Sequence, residues 1–347
     1  AKPHFEELPA ISISETLGAS TINDTLRAYT ATPGERVFLH EALALNYLLL
    51  GELDAARVEV LQADVLMGQL AEKGATIGQV ASTRYLGGLV FELNREWDDA
   101  LISYRKAAEI LDRRGQPIPP ALRQSLLQLT ARNGLAAEHE AYREQFGLPD
   151  WKPDARHYGD IVLLFWQGQV SQLRQRSVTV FAPELGQTVS LAMPYLPALS
   201  PSESSVTAEI SGHRQTTATL EDLDQLARHD LEQRRGAIMA ASLVRVVAKQ
   251  QAVRLAQQDS PQLGALINLT TLLSEVADLR SWNMLPSRIQ VMRISAPAGD
   301  NALLLNAGSW HRSTPVTIDP NRPCVLLAVD TNRQVFNQAC RTDNHAP

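Results

Sequence analysis

The sequence predicts an α+β protein: a helical-repeat half, followed by a half that combines an antiparallel sheet with two long helices. The first observation is a pattern of small and large apolar residues that occurs twice, 44 positions apart. The second is a change, after Gly147 and Pro149, to short segments rich in β-branched and aromatic residues. At 347 residues the chain is also longer than a single hydrophobic core usually accommodates, so two domains are expected. We expect an extended arm over 1–20, a repeat domain over 21–150 and an α+β domain over 151–347.

The N-terminal half is predicted to form three pairs of helices. Ala44 and Ala56 in the first copy of the pattern correspond to Gly88 and Ala100 in the second. Small residues at such positions let two helices cross closely, and larger apolar residues fill the remaining space. A weaker third pair brings the array to about the three units that stacked repeats need. The predicted helices span 36–50, 54–73, 79–94, 97–114, 121–132 and 136–146.

The C-terminal half is predicted to contain short strands and two helices. Apolar periodicity indicates a helix over 220–258, with Thr219 as its N-cap. A second apolar helix is expected over 263–279, ahead of Pro286. Short strands separated by Pro and Gly turns indicate a small antiparallel sheet or sandwich against which these helices pack. The predicted strands are 160–166, 177–181, 188–193, 205–210, 288–294, 302–306, 315–318, 324–329 and 334–338.

Composition and motifs exclude several classes of function. The net charge of −6 is offset by no basic stripe, which argues against a nucleic-acid partner. No apolar run reaches the roughly 18 residues that cross a bilayer. The eight histidines form no pair at metal-binding spacing, and the chain has neither a phosphate-binding glycine loop nor a Gly-x-Ser-x-Gly elbow. We therefore expect no metal, no cofactor and no catalytic residue.

The two cysteines are predicted to form a disulfide. They lie in two apolar segments that flank a turn-prone stretch, and a three-residue loop over 331–333 would place Asp330 opposite Gln334. Continuing that register outward places Cys324 opposite Cys340, close enough for a bridge if the pair is of the non-hydrogen-bonded type. A disulfide would indicate an oxidising compartment. The alternative is that both thiols are reduced and unrelated.

The spacing of the first two helix pairs resembles the tetratricopeptide repeat. The resemblance covers residues 36–146 and implies a curved stack whose concave face receives a partner's peptide or helix. The polar groups of Tyr85 and Glu92 need to hydrogen-bond to water or to a partner, which makes these two residues the stronger binding candidates. The apolar residues of this face are equally explained as core. The predicted partner-binding residues are Phe38, Glu41, Tyr85, Leu89 and Glu92.

A second resemblance involves the string Asp278-Leu-Arg280-Ser-Trp282-Asn-Met-Leu-Pro, where a predicted helix ends and a strand follows. This string, with the segments at 41–48 and 55–59, resembles an uncharacterised family of Gram-negative envelope lipoproteins. The resemblance implies export and a lipid tether to the outer membrane, facing the periplasm, although the lipidated cysteine would have to precede Ala1. Members of that family tend to be encoded near lipoprotein activators of penicillin-binding proteins, so the resemblance implies a role in cell-wall assembly. We expect Asp278, Arg280 and Trp282 to form a domain junction.

These observations predict a non-enzymatic interaction or scaffold protein of the cell envelope, with a protein partner held by the helical-repeat surface. Repeats of this kind build binding surfaces and rarely carry chemistry. The membrane would be contacted only through a lipid anchor outside this chain. The alternative is an enzyme acting on envelope polymer, with its site at the seam between domains. Neither the partner's identity nor the oligomeric state follows from the sequence.

Overall fold

The structure, a computed structural model, describes residues 29–72, 78–154, 157–198, 204–259, 276–330 and 334–336. Those residues contain seven helices and eleven strands, so the prediction of an α+β protein is confirmed. The chain divides into two compact units. The helix–sheet unit comprises Pro33–Val170, Pro201–Asp224 and Met284–Pro347, and the hairpin unit comprises Ala1–Thr32, Ser171–Ser200 and Gln225–Asn283. Residue 150, the predicted domain boundary, lies inside the helix–sheet unit, and the predicted arm over 1–20 lies outside the described residues.

Six helices open the helix–sheet unit as three consecutive pairs. They are α1 (Pro33–Leu49), α2 (Leu53–Glu72), α3 (Ala81–Leu93), α4 (Trp97–Arg113), α5 (Pro120–Arg132) and α6 (Ala136–Gln145). Each helix packs against the next one in its pair, and α3 also packs against α1 and α2. Gly88 permits the closest approach, because a Cβ atom there would collide with the ring of Tyr104 on α4. The predicted small residue at a helix crossing therefore has a definite steric reason.

Eleven strands form three sheets. The strands are β1 (Tyr158–Gln167), β2 (Arg174–Ala182), β3 (Gln187–Tyr195), β4 (Thr207–Ile210), β5 (His213–Thr216), β6 (Ala218–Asp222), β7 (Arg288–Pro297), β8 (Gly299–Ala307), β9 (Trp310–Ile318), β10 (Cys324–Val329) and β11 (Gln334–Phe336). The five-stranded sheet has the order β11-β10-β1-β7-β6, the four-stranded sheet β5-β4-β8-β9, and β2 pairs with β3 alone. The prediction of a purely antiparallel sheet is wrong at one place, because β1 and β10 run parallel. More than 150 residues separate these two strands, so no hairpin turn imposes an antiparallel direction on them.

The central strands of the five-stranded sheet, β1 and β10, are buried on both faces. Val162 and Leu164 of β1 belong to the core that the helices share, whereas Ile161, Leu163 and Phe165 belong to the core shared with the four-stranded sheet. This alternation is the period of two that a strand imposes on its side chains. Because each face meets an apolar layer, β1 and β10 read as unbroken hydrophobic runs in the sequence. The helix–sheet unit thus has three layers: helices, central sheet and outer sheet.

The hairpin unit is built from β2, β3 and one long helix, α7 (Leu223–Asp259), most of which belongs to it. Leu191 and Met193 of β3 pack with Val246 of α7 in its small apolar core. The predicted helix over 220–258 begins too early, because residues up to Asp222 form β6. They pair with β7, and the burial of Leu220 in the core favours the strand over the helix. The second predicted helix, 263–279, lies largely outside the described residues, and its last four residues are not helical.

The C-terminal hairpin differs from the predicted register by one residue. Val329, and not Asp330, pairs with Gln334, so the connecting loop has four residues. Cys324 is disulfide-bonded. Its predicted partner, Cys340, lies outside the described residues. Cys324 itself is buried in the core between the two sheets.

Five helices of the helix–sheet unit end in the same Schellman-type turn. At the end of α1, for example, the Glu52 N–H donates to the Tyr47 carbonyl at 2.9 Å, and Gly51 between them has φ +82°. The same six-to-one hydrogen bond ends α3, α4, α5 and α6. Glycine occupies the left-handed position in four of the five turns, and Arg95 occupies it after α3 with φ +62°. Only Arg95 has a Cβ atom there, which strains the backbone.

We therefore expect Arg95→Gly to stabilise the protein. Removing the left-handed strain should raise the free energy of unfolding by about 0.5–1 kcal/mol, after the extra entropy of glycine in the unfolded chain is subtracted. Urea denaturation of the two proteins measures this difference. The control is Arg95→Ala, which removes the same side chain but keeps the Cβ atom. An equal gain in both variants would show that the backbone strain is not the cause.

Candidate functional site

The residues predicted to bind a partner all lie in the interior of the helix–sheet unit. Phe38, Glu41, Tyr85, Leu89 and Glu92 are at most 6% exposed. The face of the repeat that they form is covered by the chain's own five-stranded sheet: α3 packs on β6 and α5 packs on β7. The ring of Phe38 lies 5.6 Å from that of Trp166 on β1. A partner would therefore have to use other residues of the repeat.

Glu92 has a partner within the chain, Arg293 of β7. The Arg293 guanidinium donates to both carboxylate oxygens of Glu92, at 2.6 and 3.0 Å. It also donates from Nε to Asp160 of β1 at 2.8 Å. The guanidinium is thus held between two carboxylates, one from a helix and one from the adjacent strand. All three side chains are largely buried, so each charge depends on the others for its solvation.

Hydroxyl groups complete this buried ion cluster. Tyr104 donates to Glu92 at 2.8 Å, and Ser295 donates to Asp160 at 2.5 Å. Burial alone would lower the pKa of Arg293, but Asp160 and Glu92 raise it well above its ordinary value. Burial raises the pKa of Tyr85 to about 12 and that of Tyr104 well above its usual range. These groups keep one protonation state at all physiological pH values, which suits a structural cluster and not acid–base catalysis.

Two further buried carboxylates lie at the start of α3. Glu221 of β6 accepts the backbone N–H of Ala81 at 2.7 Å and pairs with Arg114 at 2.6 Å. Glu41 accepts the hydroxyls of Ser82 at 2.8 Å and Thr83 at 2.6 Å. Burial raises the pKa of Glu41 to about 7, against the effect of these two hydrogen bonds. Burial also raises the pKa of Glu221, although Arg114 opposes it. The pKa of Glu41 therefore lies near neutral pH.

The predicted junction residues belong to the hairpin unit. Arg280 donates to both oxygens of Asp278, at 2.9 and 2.7 Å, so the two residues pair with each other. Burial would raise the pKa of Asp278, but the hydrogen bonds from Arg280 lower it. Trp282 is half-buried. The chain passes from the hairpin unit to the helix–sheet unit between Asn283 and Met284, within the string that the sequence singled out.

The outward surface of α2 exposes an apolar stripe. It consists of Val58, Leu61 and Val65, which are 49%, 39% and 59% exposed. Their spacing of three and four residues places them on one side of the helix. Leu50, 54% exposed, precedes them in the turn between α1 and α2. We call Val58, Leu61 and Val65 the outer stripe. It is the candidate functional site.

Two ion pairs connect α2, the helix of the outer stripe, with α4 and the residue that precedes it. Arg57 of α2 donates to both oxygens of Glu96, just before α4, at 2.8 and 2.9 Å. Lys106 of α4 donates to Asp64 of α2 at 3.0 Å. Ile102 of α4, 43% exposed, stands 44 positions after Val58 and is therefore its equivalent in the next pair. The second helix pair thus also exposes an apolar residue at this position.

The described part of the chain contains no group of three or more His, Cys, Asp or Glu side chains placed to hold a metal ion. No helix within the described ranges is long and apolar enough to cross a membrane.

Sequence reasoning missed the ion cluster around Arg293. Two signals were available: Arg293 interrupts an apolar strand, and Asp160 opens another. A charge inside a strand that is buried on both faces requires an opposite charge nearby. The outer stripe was missed for a different reason. Its residues fit the apolar periodicity of a buried helix face, and nothing in the sequence distinguishes inward from outward apolar residues.

Comparison of the chain with protein-family models, with curated proteins and with solved structures found no match in any of the three.

Proposed function

We propose that this protein is a non-enzymatic interaction protein of the Gram-negative cell envelope, which binds a protein partner on the outer face of a tetratricopeptide-like helical array. The observation that carries the proposal is the outer stripe. Exposed apolar residues that recur at helical spacing on a surface are typical of a contact with another protein. The opposite face of the array is covered by the chain's own sheet, so the outer face is the part of the array left for a partner.

The geometry of the buried charges supports a structural protein over an enzyme. Glu92, Asp160 and Arg293 satisfy one another and are closed off from solvent. Glu41 titrates near neutrality, but its known contacts are Ser82 and Thr83 within the protein. A general acid or base must reach a substrate proton, and no buried carboxylate described above does so.

The proposed envelope location draws on a sequence resemblance and on the disulfide. The resemblance to envelope lipoproteins implies export, and the disulfide at Cys324 is typical of proteins in an oxidising compartment. A role in envelope or cell-wall assembly follows from that resemblance alone. Fractionation of the encoding bacterium tests the location, since the protein should appear in the outer-membrane or periplasmic fraction and not in the cytoplasm.

Site-specific photocrosslinking tests the interaction. A photoreactive phenylalanine analogue is placed at Leu61 of the full chain in the encoding bacterium. We expect a crosslinked adduct with a second protein, since Leu61 lies at the centre of the outer stripe. Val58→Glu and Val65→Glu together should abolish the adduct, because burying two carboxylates in an apolar contact is strongly unfavourable.

The matched control places the same analogue at Leu304 on the outer sheet, which is exposed to a similar degree. This position should give no adduct with the same protein. Mass spectrometry of the Leu61 adduct identifies what was captured. A crosslink to residues 1–28 of the same chain, or equal adducts from both positions, would contradict the proposed binding surface.

A further inference from the structure

We propose that the outer surface of α2 and α4 is built for one class of partner: a cationic amphipathic helix. This inference rests on the proposed function, because it specifies the partner of the same surface. The apolar contact would be made by the outer stripe and Ile102. The cationic side chains of the partner would meet a group of carboxylates at the N-terminal ends of α2 and α4.

The apolar part of the surface has the dimensions of a helix contact. The residues of the outer stripe stand at positions i, i+3 and i+7 of α2, so they cover two turns of the helix, about 11 Å. Ile102 adds an exposed apolar residue on α4, at the repeat position equivalent to Val58. Two adjacent helices with exposed apolar residues suit a third helix laid across or between them.

The charged part of the surface is strongly acidic. The exposed or half-exposed carboxylates at the two helix starts are Glu52, Asp54, Glu96, Asp98 and Asp99, and the nearby cations are Arg57, Arg95 and Arg132, the last on the ring of Trp97. Five negative charges therefore stand against three positive charges. A partner with lysine or arginine beside its apolar face would complement this surface, and an acidic partner would be repelled.

Arg57 is paired with one of these carboxylates and leaves the excess of negative charge in place. Its guanidinium is committed to Glu96 through three hydrogen bonds. Those bonds raise the pKa of Arg57, and the charges of Asp99 and Asp54 add to the effect, so both aspartates lie close to the same group. Asp98 accepts a hydrogen bond from Asn133, a neutral donor that cancels no charge. Asp54 and Asp99 thus add negative charge near Arg57 of α2, and Asp98 adds it beside the end of α5.

Model peptides test the inference with the full chain. The probe is a fluorescent 18-residue helical peptide with leucine on one face and lysine on the other, and its counterpart carries glutamate in place of lysine. Binding is measured by fluorescence anisotropy. We expect the lysine peptide to bind at least about tenfold more tightly than the glutamate peptide, and added salt to reduce the difference.

Two sets of variants separate the apolar and charged contributions. The combination Val58→Ser, Leu61→Ser and Val65→Ser should abolish binding of the lysine peptide. The combination Asp54→Asn, Asp98→Asn and Asp99→Asn should weaken it by about tenfold, since three exposed charge pairs are lost. The matched control, Glu144→Gln, Asp150→Asn and Asp154→Asn, changes the net charge equally at exposed positions on or after α6. Circular dichroism confirms that each variant is folded.

Three outcomes would overturn the inference. The control variant could weaken binding as much as the aspartate variant, which would indicate general attraction to an acidic protein. The serine variant could leave binding unchanged, which would place the peptide elsewhere. Sedimentation could show a dimer that the serine variant dissociates, which would make a second copy of the chain the occupant.

The experiments can reject the partner surface and the cationic class of partner independently of each other. An adduct at Leu61 without preference for the lysine peptide would leave the partner surface standing and reject the cationic class. Absence of the adduct would reject the surface as a partner site.

Discussion

Replacing Arg293 by methionine should destabilise the protein by about 3–5 kcal/mol, because the substitution leaves two buried carboxylates without a counter-charge. Glu92 and Asp160 both lose the guanidinium that lies within 3.0 Å of each of them. Urea denaturation of the wild-type protein and the variant measures the loss as a lower midpoint at unchanged slope.

The matched control is Arg105→Met, which removes the partner of Glu138 at a half-exposed ion pair between α4 and α6. That substitution should cost less than about 1 kcal/mol, since water solvates the remaining carboxylate. Neutralising both acids in the Arg293→Met background, with Glu92→Gln and Asp160→Asn, should restore part of the stability. If Arg293→Met and Arg105→Met lower the free energy of unfolding equally, the buried ion cluster does not contribute more to stability than an exposed ion pair.

The second large effect is a loss of stability as the pH rises, due to Glu41. Burial raises the pKa of Glu41 from 4.5 to about 7 in the folded protein. The folded state therefore binds this proton more tightly than the unfolded state does. The stabilisation from the proton is complete below about pH 4.5 and is lost as the pH rises through about 7. At pH 8 the loss should reach at most about 3 kcal/mol, from 1.36 kcal/mol for each pKa unit.

Glu41→Gln isolates this contribution, since the glutamine amide does not titrate and its carbonyl can still accept from Ser82 or Thr83. The difference in unfolding free energy between variant and wild type should shift in favour of the variant between pH 5 and pH 8. Glu144→Gln, at an exposed site, controls for the removal of one carboxylate from the net charge. A difference that stays constant over this pH range would mean that Glu41 does not titrate between the two states.

The local elements of this protein follow from local sequence. The six repeat helices were predicted within a few residues, because apolar periodicity and glycine at helix ends act over one or two turns. The nine predicted strands are all present, with ends that differ by up to five residues. The strands β5 and β6 were not predicted. β6 in particular contains Leu220 to Asp222, which carry acidic helix-start signals and become a strand only because β7 offers a pairing edge.

The surroundings of the predicted binding residues and of the outer stripe depend instead on contacts between distant parts of the chain. The sequence singled out Glu92 as a residue whose polar group needs a partner, but it could not tell that this partner is Arg293 of the chain's own sheet. The pairing of Glu92 with Arg293 joins positions 201 residues apart. No periodicity or motif carries information over such a separation. The same holds for the outer stripe, since exposure depends on which face of α2 the other helices cover.

The sequence by itself determined the α+β class and the paired helices, because these depend on neighbours within a few positions. Only the tertiary structure decided that the central sheet fills the inner face of the helical array, and that apolar residues of α2 remain outside. The physical reason is that burial and ion pairing are settled by which distant surfaces meet, and those surfaces form only when the layers assemble.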